Sequence, residues 1–140
     1  MTGSIISTTT AWRDGELIPV PLAAGAKVLE GTIAVINASG FGVDSGSVGG
    51  IGQICLGVWS GFVDNTNGAA GDKVASVRRH KQFLLANSTT DPVTQAQLGM
   101  TVYVADNQTV AKTDDAGTLS IAGKFMGFDS QYPNLIWVEI

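Results

Sequence analysis

The sequence predicts an all-β fold: a compact β-barrel or β-sandwich domain with one short helix and an extended N-terminal arm. Three observations carry this prediction. Short apolar runs are divided by 18 glycines and by many Ser, Thr and Asn residues. Apolar stripes with a 3.6-residue period are absent. Turn chemistry recurs at close intervals, as it does in chains of many short strands.

Residues 1–16 read as the arm and residues 17–140 as a single β domain. The Ser/Thr-rich start lacks the alternation that would bury it, so a partner surface or the domain itself must supply its order. Ile18-Pro19-Val20-Pro21 suits an edge strand, because proline cannot donate to a ladder. Val28 to Ile36 reads as a strand pair or a bent strand, with Glu30-Gly31 as the bend. Asn37-Ala38-Ser39-Gly40 is a turn, Phe41 to Val43 returns, and Gly40 to Gly52 is a glycine-rich loop. Ile54 to Val63 is the next strand. Regular alternation puts Ile54, Leu56 and Val58 on one face and Cys55 and Trp59 on the other. Asp64 to Asp72 is a polar loop. Lys73 to Leu85 is a strand with a break near Arg79-His80.

The helical signal is Asp91 to Gly99. Asp91 suits an N-cap, Pro92 the first helical position and Gly99 a left-handed stop, which allows two turns at most. Thr101 to Ala105 and Thr109 to Lys112 form a hairpin around Asp106-Asn107. Ile121 to Phe128 and Leu135 to Ile140 are the last strands, with Ile136, Val138 and Ile140 facing the core and Trp137 facing away. Two segments recur in the same order. Thr32 to Asn37 followed by Val43 parallels Thr101 to Asp106 followed by Val110, and Gly57 to Phe62 parallels Gly123 to Phe128. Either the chain is internally duplicated, or two hairpins resemble each other because hairpins do.

Hydrophobic residues make up 44% of the chain and charged residues 14%, against about 25% charged in an average domain. So neutral a surface favours association, though scattered Ser, Thr and Asn also lower the charge. The net charge of −4 argues against a general nucleic-acid partner, which calls for a basic stripe. Cys55 is the single cysteine, so no internal disulfide framework exists. The start has no basic n-region or apolar h-region of a secretory signal, and the sequons at Asn37, Asn87 and Asn107 read as coincidence. Leu17 to Ala24 holds two prolines and is too short to cross a bilayer. No membrane partner is expected.

Catalytic chemistry finds little footing. His80 lies among Arg78, Arg79 and Lys81, where no carboxylate is placed to orient it as a base. One His and one Cys fall short of a zinc ligand set. Asp64-Asn65-Thr66-Asn67-Gly68 departs from the EF-hand pattern, which leaves only a calcium loop of another kind. Gly50-Ile51-Gly52 lacks the third glycine of a dinucleotide fingerprint and precedes a strand. No enzyme, metal or cofactor is expected.

Six stretches carry a resemblance. They are Gly61-Phe62-Val63-Asp64-Asn65-Thr66-Asn67-Gly68-Ala69-Ala70-Gly71-Asp72-Lys73, Val77-Arg78-Arg79, Phe83 to Ser88, Asp91-Pro92-Val93-Thr94 through Leu98-Gly99, Val102 to Thr113, and Ile136 to Ile140. Together they resemble the small capsid decoration (cement) proteins of tailed bacteriophages, over residues 17–140. The resemblance implies a β domain on the outer surface of the virion, made in the bacterial host cytoplasm. It implies binding to the major capsid protein, and a homotrimer or, in some relatives, a dimer. The Gly40–Gly52 loop and the arm find no match in it.

The contact residues expected on this reading are Ile5, Ile6, Trp12 and Arg13 in the arm, the basic Arg78, Arg79 and Lys81, and the aromatic Trp59 and Trp137. Arginines suit interfacial carboxylates and tryptophans suit buried anchors. A solvated strand end and core tryptophans account for the same residues. A carbohydrate-binding module that stacks sugars on Trp12, Trp59 or Trp137 is the alternative function.

Overall fold

The computed structural model describes residues 5–11, 13 and 15–140. The all-β prediction holds: among the described residues eleven strands account for the order, and no helix exceeds a single 3₁₀ turn. Strands β1 (Leu17–Pro21), β3 (Ile33–Ile36), β4 (Ile54–Trp59) and β6 (Val74–Arg78) form one antiparallel sheet in the order β1-β6-β4-β3. β2 (Lys27–Val28) and β5 (Val63–Asp64) form a separate short pair. β7 (Gln82–Asn87), β8 (Thr101–Val104), β9 (Thr109–Ala111), β10 (Ile121–Phe128) and β11 (Leu135–Glu139) close into a barrel, β10-β11-β7-β9-β8.

The first sheet is four-stranded and barrel-like, its two edge strands tied together by one residue. Gly42 bridges Leu22 in parallel, just beyond β1, and Ile36 antiparallel at the end of β3. In the second barrel β9 does the same work with a full strand, parallel to β7 and antiparallel to β8. Closure of the second barrel removes the exposed ladder edges that an open sheet would present.

The two barrels share one plan, so the chain is internally duplicated. Leu17 faces Arg78 as Gln82 faces Glu139. Val58 faces Arg78 as Lys124 faces Glu139. Ile33 faces Val58 as Thr101 faces Lys124. Main-chain bonds outside the ladders repeat as well. Arg79 N–H donates to Glu16 O at 2.9 Å and Ile140 N–H to Lys81 O at 3.1 Å; Gly31 N–H donates to Trp59 O at 2.9 Å and Gly99 N–H to Phe125 O at 2.8 Å. The sequence match of Gly57–Phe62 with Gly123–Phe128 is in register. The match of Thr32–Asn37 with Thr101–Asp106 is out by one, because the ladders put Thr101 in the place of Ile33. A one-residue slip exchanges the two faces of a strand.

Each barrel has its own core. Val20, Leu22, Ala26, Val28, Ala34, Trp59, Ala75 and Val77 fill the first. Leu85, Val93, Val102, Val104, Val110, Ala122, Phe125, Ile136 and Val138 fill the second. Strand alternation then couples them: Ala34 points into the first barrel, while Ile33 and Val35 point out of it and join the second core. At about 25 cal/mol per Å² of apolar surface buried, this shared cluster holds the barrels together as one body.

Most turn predictions hold. β1 is an edge strand of its sheet. The basic run breaks the Lys73–Leu85 segment between β6 and β7, with His80 at φ 60°. Gly31 takes φ 80° at the predicted bend. The Asn37 side chain organises its turn by accepting from Ser39 and Phe41 N–H groups at 3.0 and 3.1 Å.

Two expectations are corrected. The helix predicted over Asp91–Gly99 is one 3₁₀ turn, Gln95–Gln97, with Thr94 at its start. The preceding chain stays extended because the Asn87 side chain grips Val93. Its Nδ2 donates to Val93 O at 2.9 Å and its Oδ1 accepts from Val93 N–H at 2.8 Å. Asp91 is engaged elsewhere, accepting from Thr113 N–H at 2.9 Å and the Thr113 hydroxyl at 2.5 Å. The second correction concerns β4. Its register against β3 skips Leu56, so Val35 faces Cys55 and Ala34 faces Gly57. That bulge puts Trp59 on the face of Leu56, in the first core, instead of beside Cys55.

Candidate interaction surface

The predicted contact residues divide by burial. Ile5 and Ile6 are 96% and 77% exposed, and every described residue from 5 to 11, with Arg13, is exposed. Trp12 lies outside the described residues. Trp59 is 1% exposed, and its indole Nε1 has no hydrogen-bond acceptor. It is a core residue of the first barrel, which overturns its expected role as a subunit contact. It is equally closed to a sugar. Trp137 is half-buried on β11, opposite Leu84.

The basic residues meet at the junction between the barrels. Arg78 is exposed and ends β6, Arg79 is half-buried with its Nε unpartnered, and Lys81 pairs with Glu16 at 3.2 Å. Glu16 and Lys81 are counterparts: each begins its own barrel, and each main-chain carbonyl accepts the equivalent bond. So exposed a pair adds little stability, about 0–1 kcal/mol, but it marks where the two barrel starts come together.

Arg79 and His80 border a shallow groove of about 620 Å³ between the barrels, with half-buried Cys55 and Leu56 of β4 on one wall and Thr101, Ile121, Lys124, Glu139 and Ile140 on the other. This groove opens onto the outer face of β8 and β10. Ile121 there is 61% exposed and Met100 beside it 55%. The sequence reading missed this face. Its signal was available in the repeat, since the correct register makes Ile121 the counterpart of Cys55 and Thr101 the counterpart of Ile33.

Cys55 sits on the outer face of β4, packed against the second core. Burial pushes its thiol from 9.0 up to about 12, only partly offset by a backbone hydrogen bond at Gly57. It is therefore a packing residue and a poor nucleophile at neutral pH.

The polar loop after β5 is stitched to the fold. Asn65, 1% exposed, donates through Nδ2 to Ala23 O at 3.0 Å and Ala69 O at 3.1 Å. Asp64 accepts from the N–H and hydroxyl of Thr66, and these bonds hold its carboxyl below the usual range. Asp72 accepts from Ala69 N–H at 2.8 Å. The carboxylates of this loop serve its own turns. Among the described residues no group of three or more His, Cys, Asp or Glu side chains is placed to hold a metal ion. No helix there is long and apolar enough to cross a membrane.

Comparison with protein families, with curated proteins and with solved structures found no match to this chain.

Proposed function

We propose that this chain is a structural decoration protein that binds the outer surface of a phage head, as a trimer, and clamps neighbouring major capsid proteins. The observation that carries the reading is the arm. Its described residues stand exposed and include two large apolar side chains, Ile5 and Ile6, ahead of a first strand that begins only at Leu17. Apolar side chains on an extended segment suit addition to a neighbour's sheet edge or groove. A stable protein contact takes about 1,200–2,000 Å² of buried surface, which a small barrel pair reaches most readily by adding an arm to a docked face. The resemblance of residues 17–140 to cement proteins supports the same reading.

The test is deletion of residues 1–12. The truncated chain should keep the circular dichroism spectrum and melting temperature of the full chain and lose co-sedimentation with expanded heads. Unchanged occupancy on the heads would overturn the proposal.

A further inference from the structure

We infer that the outer β8–β10 face of the second barrel is a docking site for the first barrel of a second copy of this chain. The contact would repeat between chains the one that joins the two barrels within a chain. This deepens the self-association contained in the proposed function, but it is argued from the duplication alone.

Within the chain, the outer face of the first barrel is covered. Ile33 and Val35 are fully buried. The cover includes the turn between β8 and β9: Asn107 O accepts from Ile33 N–H at 2.7 Å, and Asn107 Nδ2 donates to Ser45 O at 3.0 Å. The contact is one-sided. The ladders make Thr101 the counterpart of Ile33, and the matching bonds Asn37 N–H to Phe41 O and Ala105 N–H to Thr109 O make Ser39 the counterpart of Asn107. Thr101 and Ser39 share no hydrogen bond, and Ser39 is exposed. A face on one barrel therefore meets a different feature, a turn, on the other. That is a heterologous contact, and it leaves one unused half at each end of the chain.

The second barrel holds the unused face, whose Ile121 edge shares a groove with Cys55 and Leu56 of the first barrel and is otherwise open. Ile121 is 61% exposed where its counterpart Cys55 is packed, and Met100 is 55% exposed where its counterpart Thr32 is 4% exposed. The first barrel holds the unused turn, Ala38 to Gly40, all exposed. A second copy carries a turn built on the same ladder as the one that already covers this kind of face. Charge agrees. Lys81 meets Glu16 within the chain at 3.2 Å, and the same step onward brings Lys81 to Glu16 of the next copy. Equivalent points that meet at each step lie near the axis about which a ring would close, so charges would alternate around that axis.

The experiment uses the full chain without heads, measured by native mass spectrometry and light scattering. The wild type should give one discrete oligomer. Ile121→Glu spoils the face and Ser39→Trp spoils the turn; both sites are exposed, and each variant should keep a native spectrum and run as a monomer. Thr101→Arg is the second face variant. Mixing Ile121→Glu with Ser39→Trp should give a one-to-one heterodimer, since one chain keeps a good turn and the other a good face. A monomeric wild type, an oligomer that survives either substitution, or a mixture without heterodimer would overturn the inference. If the wild type is monomeric, yet Ile121→Glu loses head binding, the face belongs to the shell protein. Self-docking would then fail while the proposed function stood.

Discussion

Gly57 and Gly123 stand at the same point of the two barrels, and a carbonyl oxygen fills the place where each would carry a Cβ. The Arg78 oxygen lies 2.2 Å from that position at Gly57, and the Glu139 oxygen 2.1 Å from it at Gly123. Both glycines follow the residue that the β3–β4 or β8–β10 register skips, where the ladder pinches the neighbouring strand inward. Because the obstacle is backbone, no rotamer change relieves it. Gly57→Ala and Gly123→Ala should each destabilise the fold by about 2–4 kcal/mol in urea melts. Gly61→Ala, where an added Cβ meets nothing within 4 Å, should stay within about 0.5 kcal/mol of wild type. Equal stability of all three variants would show that the two bulges are not built as described.

The barrels solve one packing problem in two ways, and this can be tested by exchange. Gly42 and Val110 are counterparts, as are Trp59 and Phe125. An added Cβ at Gly42 would lie 2.8 Å from the far edge of the Trp59 ring and 2.8 Å from a Leu22 methyl. The second barrel pairs the smaller Phe125 with the larger Val110, both fully buried. Gly42→Val alone should overpack the first core and cost about 1–3 kcal/mol. Trp59→Phe alone should cost a cavity, partly offset by removing the unpartnered indole N–H. The double variant should be more stable than the sum of the singles by about 1 kcal/mol or more, a coupling that a double-mutant cycle measures directly. Simple additivity would mean that the two residues do not share the site.

What the sequence disclosed depended on whether local chemistry decided the structure. The Asn37 turn, the Gly31 bend and the break at His80 follow from residue types whose preferences act over a few positions. The face of Trp59 was hidden, because a skipped residue changes no composition and only the pairing with β3 reveals it. The helix over Asp91–Gly99 shrank to Gln95–Gln97, with Gly99 still at φ 79°, for a similar reason. Its capping signals were genuine, but Asn87 and Thr113, distant in sequence, claimed Val93 and Asp91 for an extended path. The candidate surface suffered most. The repeat was visible in the residues, and the in-register match of Gly57 with Gly123 already set Ile121 against Cys55, yet a register error of one position in β8 concealed that Thr101 answers Ile33, and with it the uncovered face.

Asp91 gives the fold a pH dependence with a definite sign. Hydrogen bonds from Thr113, its hydroxyl first and its N–H second, hold the Asp91 carboxyl below its usual value of 3.8. A carboxylate lowered in the folded state contributes stability above its unfolded pKa of about 3.9 and loses it as pH falls through the folded value. Asp91→Asn should therefore lower the melting temperature at pH 7 and make the decline below about pH 4 shallower than in wild type. Thr113→Val should do the same, because it removes the first cause of the shift. Melts from neutral to acid pH check both variants, and an acid limb that neither alters would separate Asp91 from acid unfolding.

Cys55 reports on the contact between the barrels. With the thiol pushed from 9.0 to about 12, its thiolate fraction at pH 8 is about a thousandfold below that of an ordinary cysteine, and the thiolate is the species that alkylates. Native protein treated with iodoacetamide at pH 8 should stay unlabelled while chain unfolded in urea labels fully, as intact mass shows. The shift also acts on stability. Between about pH 9 and 12 the unfolded chain releases the proton and the folded chain keeps it, so the Cys55 contribution is lost as pH rises through that window. Cys55→Val, close in volume and free of a titrating group, should remove this alkaline decline while leaving the neutral-pH melt within about 1.5 kcal/mol. Because Ile33 and Val35 form the same contact, Ile33→Ala should loosen it and raise the labelling rate of Cys55 more than Val77→Ala, which opens a cavity in the first core instead. Equal rates in the two alanine variants would mean that Cys55 is reached only by global unfolding, and that the two barrels part only when both unfold.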